Sequence, residues 1–254
     1  MMRLFLTELK KTRRRHIGLV YAAALGLMII WALWAMSRMQ ARNDVITQQG
    51  YYYLLANFPL MNSFFLPVII ACAESRLCDM ELKGNTFKLL CTMQPRHSIY
   101  HIKLLLSFLY LLFFTLAQTA LIYILCGIFH VAQPAPAENI LFFLLSGLTV
   151  GTLLIIIQQS LSLLSDNQLF PLFVGVAGTF FGIFSGFFSQ IPIAYLLPWG
   201  YYMVFSTVGL YYEEASRTVT YYPVPFTVPF YIGFVVFGII AYLIGKDRFM
   251  KKEV

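Results

Sequence analysis

Residues 140–164 read ILFFLLSGLTVGTLLIIIQQSLSLL, without one Asp, Glu, Lys or Arg. A helix crosses a bilayer with about 20 predominantly apolar residues, and this stretch has 25. Five further runs approach that length: Ile17 to Met36, Tyr53 to Ala73, Ile102 to Phe129, Leu169 to Ser189 and Phe226 to Gly245. Over all 254 residues, 59% are hydrophobic and only 11% are charged, where a soluble domain carries about 25% charged residues. Mean hydropathy is +0.74. A chain of this size keeps a wide surface, and water would require polar cover on it. Much of the surface therefore faces lipid, which excludes a cytosolic enzyme, a secreted disulfide scaffold and a disordered tail. The 24 Phe and 16 Tyr suit lipid-facing spans and interfacial belts. The expected fold is an all-α integral membrane protein with six transmembrane helices.

Charge placement orients these spans. The net charge of +7 would suit nucleic acid, but the cations sit at the edges of apolar runs, where they act as topology determinants. With both termini cytoplasmic, the inside receives Arg3, Lys10, Lys11, Arg13, Arg14 and Arg15, then Arg76, Lys83, Lys88, Arg96 and Lys103, then Lys246, Arg248, Lys251 and Lys252. The outside receives Arg38, Arg42 and Arg217. Fifteen against three supports an even number of spans. The first run follows three arginines as a signal peptide would, yet it exceeds the 7–15 apolar residues of a signal sequence, so a retained helix is expected. Cys72, Cys78, Cys91 and Cys126 show neither CxxC nor zinc-finger spacing. Three lie near the reducing side, and free thiols are expected.

Ile191 to Leu210 is apolar enough to suggest a seventh span, but Pro192, Pro198 and Gly200 interrupt it. Counting it would move the C-terminal cations outside. A structured extracellular segment, re-entrant or lying on the membrane, satisfies both facts, and broken backbone at membrane depth must be buried in protein or line a wet cavity. Tyr201, Tyr202, Tyr211, Tyr212, Tyr221 and Tyr222 are placed in the outer interface.

Catalytic motifs fail. Six residues separate Gly238 from Gly245-Lys246, where a P-loop has four, and no Ser or Thr follows the Lys. Gly182-Ile183-Phe184-Ser185-Gly186 has its Ser one place too late for a nucleophile elbow. His97 and His101 are spaced i, i+4, but no Glu follows His97 and no third metal ligand is evident. No apolar run contains an unmistakable buried ionisable residue, which disfavours an ion-coupled carrier. Gln118, Gln158 and Gln159 are the deepest polar residues, read as interhelical hydrogen-bond partners or as substrate contacts. Gly178, Gly182 and Gly186 fall on one face of the fifth run, and Gly147 with Gly151 repeats the pattern in the fourth. Both sets are read as helix-packing faces, within the chain or toward a second subunit.

The loop after the second run, residues 74–96, reads ESRLCDMELKGNTFKLLCTMQPR. Gly84 breaks the preceding segment, and Asn85 or Thr86 caps a new helix. Phe87, Leu90 and Cys91 form an apolar stripe opposite Lys88. Pro95 ends this helix and opens the next. A short amphipathic rod is thus suspended on the inner face between two spans. Either it anchors at the interface or it docks into a groove on a cytoplasmic protein.

The run Glu81-x-x-Gly84-Asn85-Thr86-Phe87-Lys88-Leu89-Leu90, then Pro95-Arg96 and Lys103, resembles the first intracellular loop of ABC-2 type transporter permeases. The six-span plan, the basic Glu8-Leu-Lys-Lys-Thr-Arg13 segment and the structured outer segment extend the likeness over the chain. Asn85 interrupts the usual Gly-Thr step. With Lys83, Lys88 and Tyr100 to Lys103, this variant is similar to the lantibiotic-immunity permeases.

The resemblance implies a single ABC-2 transmembrane domain over 1–254. It comprises a cytoplasmic basic segment (1–16), helices 1–2 (17–73), a cytoplasmic coupling loop with its coupling helix (74–101), helices 3–5 (102–189), an extracellular segment (190–225), helix 6 (226–245) and a cytoplasmic tail (246–254). It implies a pair of permeases, like or unlike, on a separate ATPase dimer that holds ATP and Mg. This chain then has no catalytic residue, metal or cofactor of its own. Glu81, Gly84, Asn85, Thr86, Phe87, Leu89, Leu90, Pro95 and Arg96 are the ATPase-coupling candidates. The implied substrate is a cationic antimicrobial peptide (bacteriocin) expelled from the membrane, which Glu213 and Glu214 in the last outer loop would attract. The rival readings are export of another amphiphile, a drug or lipid, and a non-transporting module that senses peptide or scaffolds a complex.

Overall fold

The fold is described from a computed structural model that covers residues 2–40, 45–83, 89, 92, 94–187, 195–214 and 218–252. It is mostly helical, and each long helix follows from an apolar run. Lipid supplies no hydrogen-bond partner, so a crossing backbone must satisfy itself within the helix. Helix α1 spans Met2–Arg14, α2 Ile17–Gln40, α3 Val45–Lys83, α4 Arg96–Ile128, α5 Ala137–Leu164 and α6 Leu169–Phe187. A 3-10 turn Pro198–Gly200, a single turn α7 at Tyr201–Val204, strands β1 (Val208–Glu213) and β2 (Thr218–Pro223), and helix α8 (Val228–Lys251) complete the chain.

Among the described residues, α2, α3, α4, α5 and α8 are long and apolar enough to cross a membrane, while α6 is apolar but shorter. The helices outrun the apolar stretches that announce them. Helix α3 continues ten residues past Ala73 to Lys83 and α4 starts at Arg96 rather than Ile102, because neither extension contains a breaker. The N-terminal basic segment is itself a helix, and it buries polar Glu8 and Thr12 while exposing Leu6 and Leu9. That inverted pattern suits a helix whose leucines meet apolar surroundings. Between α1 and α2 the chain turns at His16, which has a positive φ of 55°. At the end of α4, His130 takes the left-handed position with φ 50°. Its N–H bonds Gly127 O at 3.2 Å and that of Val131 bonds Cys126 O at 3.0 Å, a Schellman close made with His where Gly is usual.

Helix α3 is central, touching α2, α4, α5, α6, α7 and both strands. Helix α8 rests mainly on α5 and to a lesser degree on α4 and presents most of its surface outward. Of the cysteines, Cys72 and Cys126 are free thiols and Cys78 is buried; Cys91 lies outside the described residues.

Two expectations need correction. The fold is not all-α, because β1 and β2 pair antiparallel, with Leu210 opposite Tyr221 and Tyr211 opposite Thr220. Val, Thr and Tyr favour extended backbone on a half-buried surface, and the hairpin is docked rather than free. Tyr221 N–H donates to Gln49 Oε1 at 3.1 Å, where α3 is kinked with Gln49 at φ −134°, and the Tyr53 and Tyr221 rings meet edge-on at 5.6 Å. The six tyrosines do not share one interface either. Tyr211, Tyr212 and Tyr222 are exposed, whereas Tyr201, Tyr202 and Tyr221 are buried in the core. Tyr201 and Tyr202 pack with Leu66 and Ile70 of α3 and Phe234 of α8, so the segment before the hairpin enters the bundle.

Small residues make that entry possible. On Gly178 a Cβ would collide with the Trp199 indole, and on Gly182 it would stand 2.8 Å from the Trp199 carbonyl carbon and 2.9 Å from Gly200 N. Within this chain the glycine face of α6 thus receives the 3-10 turn, not another helix. Gly147 and Gly151 face Thr115 and Leu111 of α4, where a Cβ would come within 3.1 Å and 2.6 Å. Gly186 is in the last turn of α6, outside the residues whose packing is described.

Gly182→Ala is expected to lower thermal stability by about 1–3 kcal/mol through overpacking against backbone. Gly26, with nothing within 4 Å of its Cβ position, should accept Ala without loss. Thermal unfolding of the two variants in one detergent checks the contrast.

Candidate functional site

The termini, the start of α4 and the α5–α6 turn meet at one end of the bundle, and this end carries the charged groups. Of the coupling candidates, Gly84, Asn85, Thr86, Phe87 and Leu90 lie outside the described residues, as does the side chain of Glu81 at the end of α3. The rod expected over Phe87 to Cys91 therefore falls outside as well, apart from Leu89. Leu89 is helical and 60% exposed, and Thr92 Oγ1 donates to its carbonyl at 2.8 Å. Pro95 is extended at φ −66°, ψ 132° and is the N-cap of α4, the conformation proline presets at a helix start.

Arg96 opens α4 and reaches across the bundle end. Its guanidinium donates to Met250 O at 2.9 Å and Lys252 O at 2.6 Å, satisfying carbonyls that the end of α8 leaves without intrahelical partners. Lys252 in turn donates to Leu163 O at 3.2 Å and Asp166 Oδ1 at 3.0 Å, which ties the same end to the α5–α6 turn. One turn into α4, Tyr100 OH and Ser160 Oγ lie 3.0 Å apart, and Gln159 Nε2 donates to Tyr100 O at 2.9 Å. His101 Nε2 shares a proton with Tyr242 OH at 2.7 Å, with His97 packed edge-on against its ring.

Ionisable groups are buried at the ends of two apolar runs, contrary to expectation. Lys103 and Glu74 are both 0% exposed. Lys103 Nζ donates to Leu77 O at 2.8 Å and lies 3.5 Å from Glu8 Oε2, joining α4 to α3 and α1. Burial alone would raise the Glu8 carboxyl; the charges of Lys103 and Lys11, with hydrogen bonds from both, outweigh it and hold Glu8 below the usual carboxylate value. Glu8 and Glu74 were missed because one lies in the basic segment before the first run and the other directly after the second, where a hydropathy pattern reads tail or loop. Lys103 was visible only as a motif position.

The remaining candidates lie apart from this end. Gln118, about four helical turns beyond Lys103 along α4, is fully buried. It exchanges amide hydrogen bonds with Asn62 of α3 at 2.7 and 3.1 Å and donates to Met28 Sδ at 2.9 Å. Asn62, missed by sequence reasoning, carried no signal except being an amide in an apolar run. With its amide turned so that the nitrogen faces Pro171 O (3.0 Å) and the oxygen faces Gly175 N–H (3.2 Å), Gln158 joins α5 to α6. Glu213 and Glu214 are exposed at the end of β1, on the far side of the bundle. The structure thus joins Arg96 to the α8 terminus and Tyr100 to Gln159 at one end, and separates this end from Gln118 and the hairpin acids.

Glu8→Gln is expected to cost about 1.5–3 kcal/mol at neutral pH, the range for hydrogen bonds to charged groups. A carboxyl depressed by folding contributes stability above its unfolded value, and this is lost as pH falls through the folded value. The gap between variant and wild type should therefore close in acid. Thermal melts across the acid range measure it.

A search of curated proteins found no match to the chain, and neither did a search of solved structures. A family model described as "ABC-2 family transporter protein" matches residues 4–182. That match takes in α1 to α5, most of α6 and the whole charged end up to the α5–α6 turn, well over half of the sequence, and the chain belongs to the ABC-2 transporter family.

Proposed function

We propose that the chain is the permease subunit of an ABC transporter, inactive as an ATPase itself and driven by a separate ATPase dimer that carries ATP and Mg. In this reading α6 is the sixth span, both termini are cytoplasmic, and a second ABC-2 permease, identical or different, completes the pathway. The observation that carries it is the Arg96 clamp on α8, within a chain of this family. A push on residues 84–93 reaches Arg96 through Pro95, the last span through the α8 carbonyls, and α5 and α6 through Lys252. The rod over Phe87 to Cys91 is the element that seats in the ATPase, with Glu81, Gly84, Asn85, Thr86, Leu89 and Leu90 setting its geometry.

For cargo, the reading is a cationic, amphipathic antimicrobial peptide of the lantibiotic kind, expelled from the membrane to confer immunity. Two features support it: the Asn85 variant of the loop, and a hairpin that presents Tyr211, Tyr212 and Tyr222 beside Glu213 and Glu214. Aromatic surface with nearby carboxylates suits a positive amphiphile.

Replacing Phe87 and Leu90 with Asp is expected to abolish co-purification of the ATPase. Arg96→Ala should keep the ATPase bound and reduce protection against peptide about tenfold or more, since a charge-assisted bond contributes about 1.5–3 kcal/mol. Survival of cells challenged with lantibiotics, bacitracin and lipophilic dyes, with the ATPase intact or able to bind but not hydrolyse ATP, measures both activity and class. Protection that persists without hydrolysis points to sensing instead. Sensitivity to dyes alone points to another amphiphile, and a chain that never retains an ATPase overturns the permease reading.

A further inference from the structure

Helices α4, α5 and α8 leave an open groove of about 470 Å3 between them. Phe108 of α4, Leu148 and Ile156 of α5, and Phe234 and Ile239 of α8 are among its walls. Gly238 also lines it, with only Leu153 within reach of its Cβ position, at 3.9 Å, so an absent side chain leaves part of the space. From Tyr231 to Tyr242 the groove follows α8 for about 16 Å. One leaflet contributes about 15 Å to a hydrocarbon core of about 30 Å. Ile239 is 54% exposed, and its neighbours Val236, Ile240 and Leu243 are exposed as well, so the groove opens toward lipid.

Four hydroxyls lie on the walls, and each already has a partner. Thr149 Oγ1 and Tyr231 OH are 2.6 Å apart, and Thr152 Oγ1 donates to Leu148 O at 2.6 Å. Tyr242 OH meets His101 Nε2 at 2.7 Å. Along its length the groove therefore requires no hydrogen bond from an occupant, and hydrocarbon suits it. Charge gathers at one end only. Lys246, one turn past Tyr242, places its ammonium 5.8 Å from the centroid of that ring. The same ring stacks on His101 at 6.1 Å, and His101 in turn meets His97 at 6.3 Å. Asp247 is paired with Lys251 at 2.8 Å, and among the described residues Lys246 has no ion pair. An ammonium with two imidazoles beside it, at the head of an apolar groove about one leaflet deep, complements a phosphate joined to an acyl chain.

We propose that this groove binds one anionic phospholipid, with an acyl chain between α4, α5 and α8 and the phosphate at Lys246 and His97. The Tyr242–His101 contact holds the two phosphate-binding side chains at the groove's head. A zwitterionic lipid brings the same hydrocarbon, but its own ammonium opposes Lys246, so selection falls on the headgroup. A helix of a second subunit would fill the apolar walls and leave the cationic end unexplained. The site requires neither cargo nor ATPase.

Photo-cross-linking of the purified full chain tests this in nanodiscs of equal phosphatidylglycerol and phosphatidylcholine, with a diazirine on the acyl chain of one or the other. Phosphatidylglycerol should label residues 148–156 and 231–242 several-fold more than phosphatidylcholine does. Lys246→Gln should lower that yield about fivefold, the effect of one basic residue at a membrane surface, and leave the phosphatidylcholine yield unchanged. Gly238→Leu fills the groove and should remove labelling there by both lipids. Equal labelling by the two lipids, indifferent to Lys246→Gln, is ordinary annular lipid and overturns the proposal. Absence of lipid label from the groove, as when a second chain covers it, overturns it as well. If the variants do not fold, the wild-type ratio between the two lipids decides alone.

Discussion

A lysine ammonium inside an apolar bundle holds this structure to one arrangement. Lys103 has no exposed surface, so its charge depends on protein groups rather than water, and removing a partner is costly. Its bond to Leu77 O fixes the register of α4 against α3, and its pairing with Glu8 brings in α1. Apolar contacts alone would tolerate a slide of one helix past another, because dispersion is indifferent to which methyl meets which. A buried charge held by partners on two other helices does not tolerate it. The Asn62–Gln118 amide pair repeats the same register constraint deeper in the bundle.

The same accounting of polar groups explains the opposite half of the molecule. Non-helical backbone within a membrane bundle persists where protein surrounds it. The 3-10 turn at Pro198–Gly200 meets this condition by lying on the Cβ-free face of α6, with Trp199 over Gly178 and Gly182. Thr207 O then accepts both Val224 N–H and the Asn139 amide, and Gln49 at the α3 kink supplies an acceptor for the hairpin edge. The kink and the hairpin thus account for each other.

At the charged end, satisfied helix termini double as mechanical links. A helix leaves its last carbonyls unpaired, and here those of α8 are taken up by Arg96 while those of α5 are taken up in part by Lys252. Elements remote in sequence are thereby joined at this end of the bundle.

Much of this was legible in the residues themselves. Uninterrupted apolar runs such as Ile140 to Leu164 determined the long helices, because lipid offers a backbone no other partner. Pro198 and Gly200 pointed to interrupted backbone after α6, where the 3-10 turn stands, and the loop from Glu81 to Lys103 pointed to the family that the match over residues 4–182 established. Tertiary structure alone decided which polar residues lie inside. Glu8 and Lys103 are far apart along the chain, as are Asn62 and Gln118, and their meeting depends on helix register rather than on local composition. It also decided that Tyr201 and Tyr202 enter the core while Tyr211 and Tyr212 stay outside, and that the glycine face of α6 receives a turn. A hydropathy pattern reports how each segment partitions into lipid; it carries no term for the contact between two segments, and that contact is where the buried charges and amides find their partners.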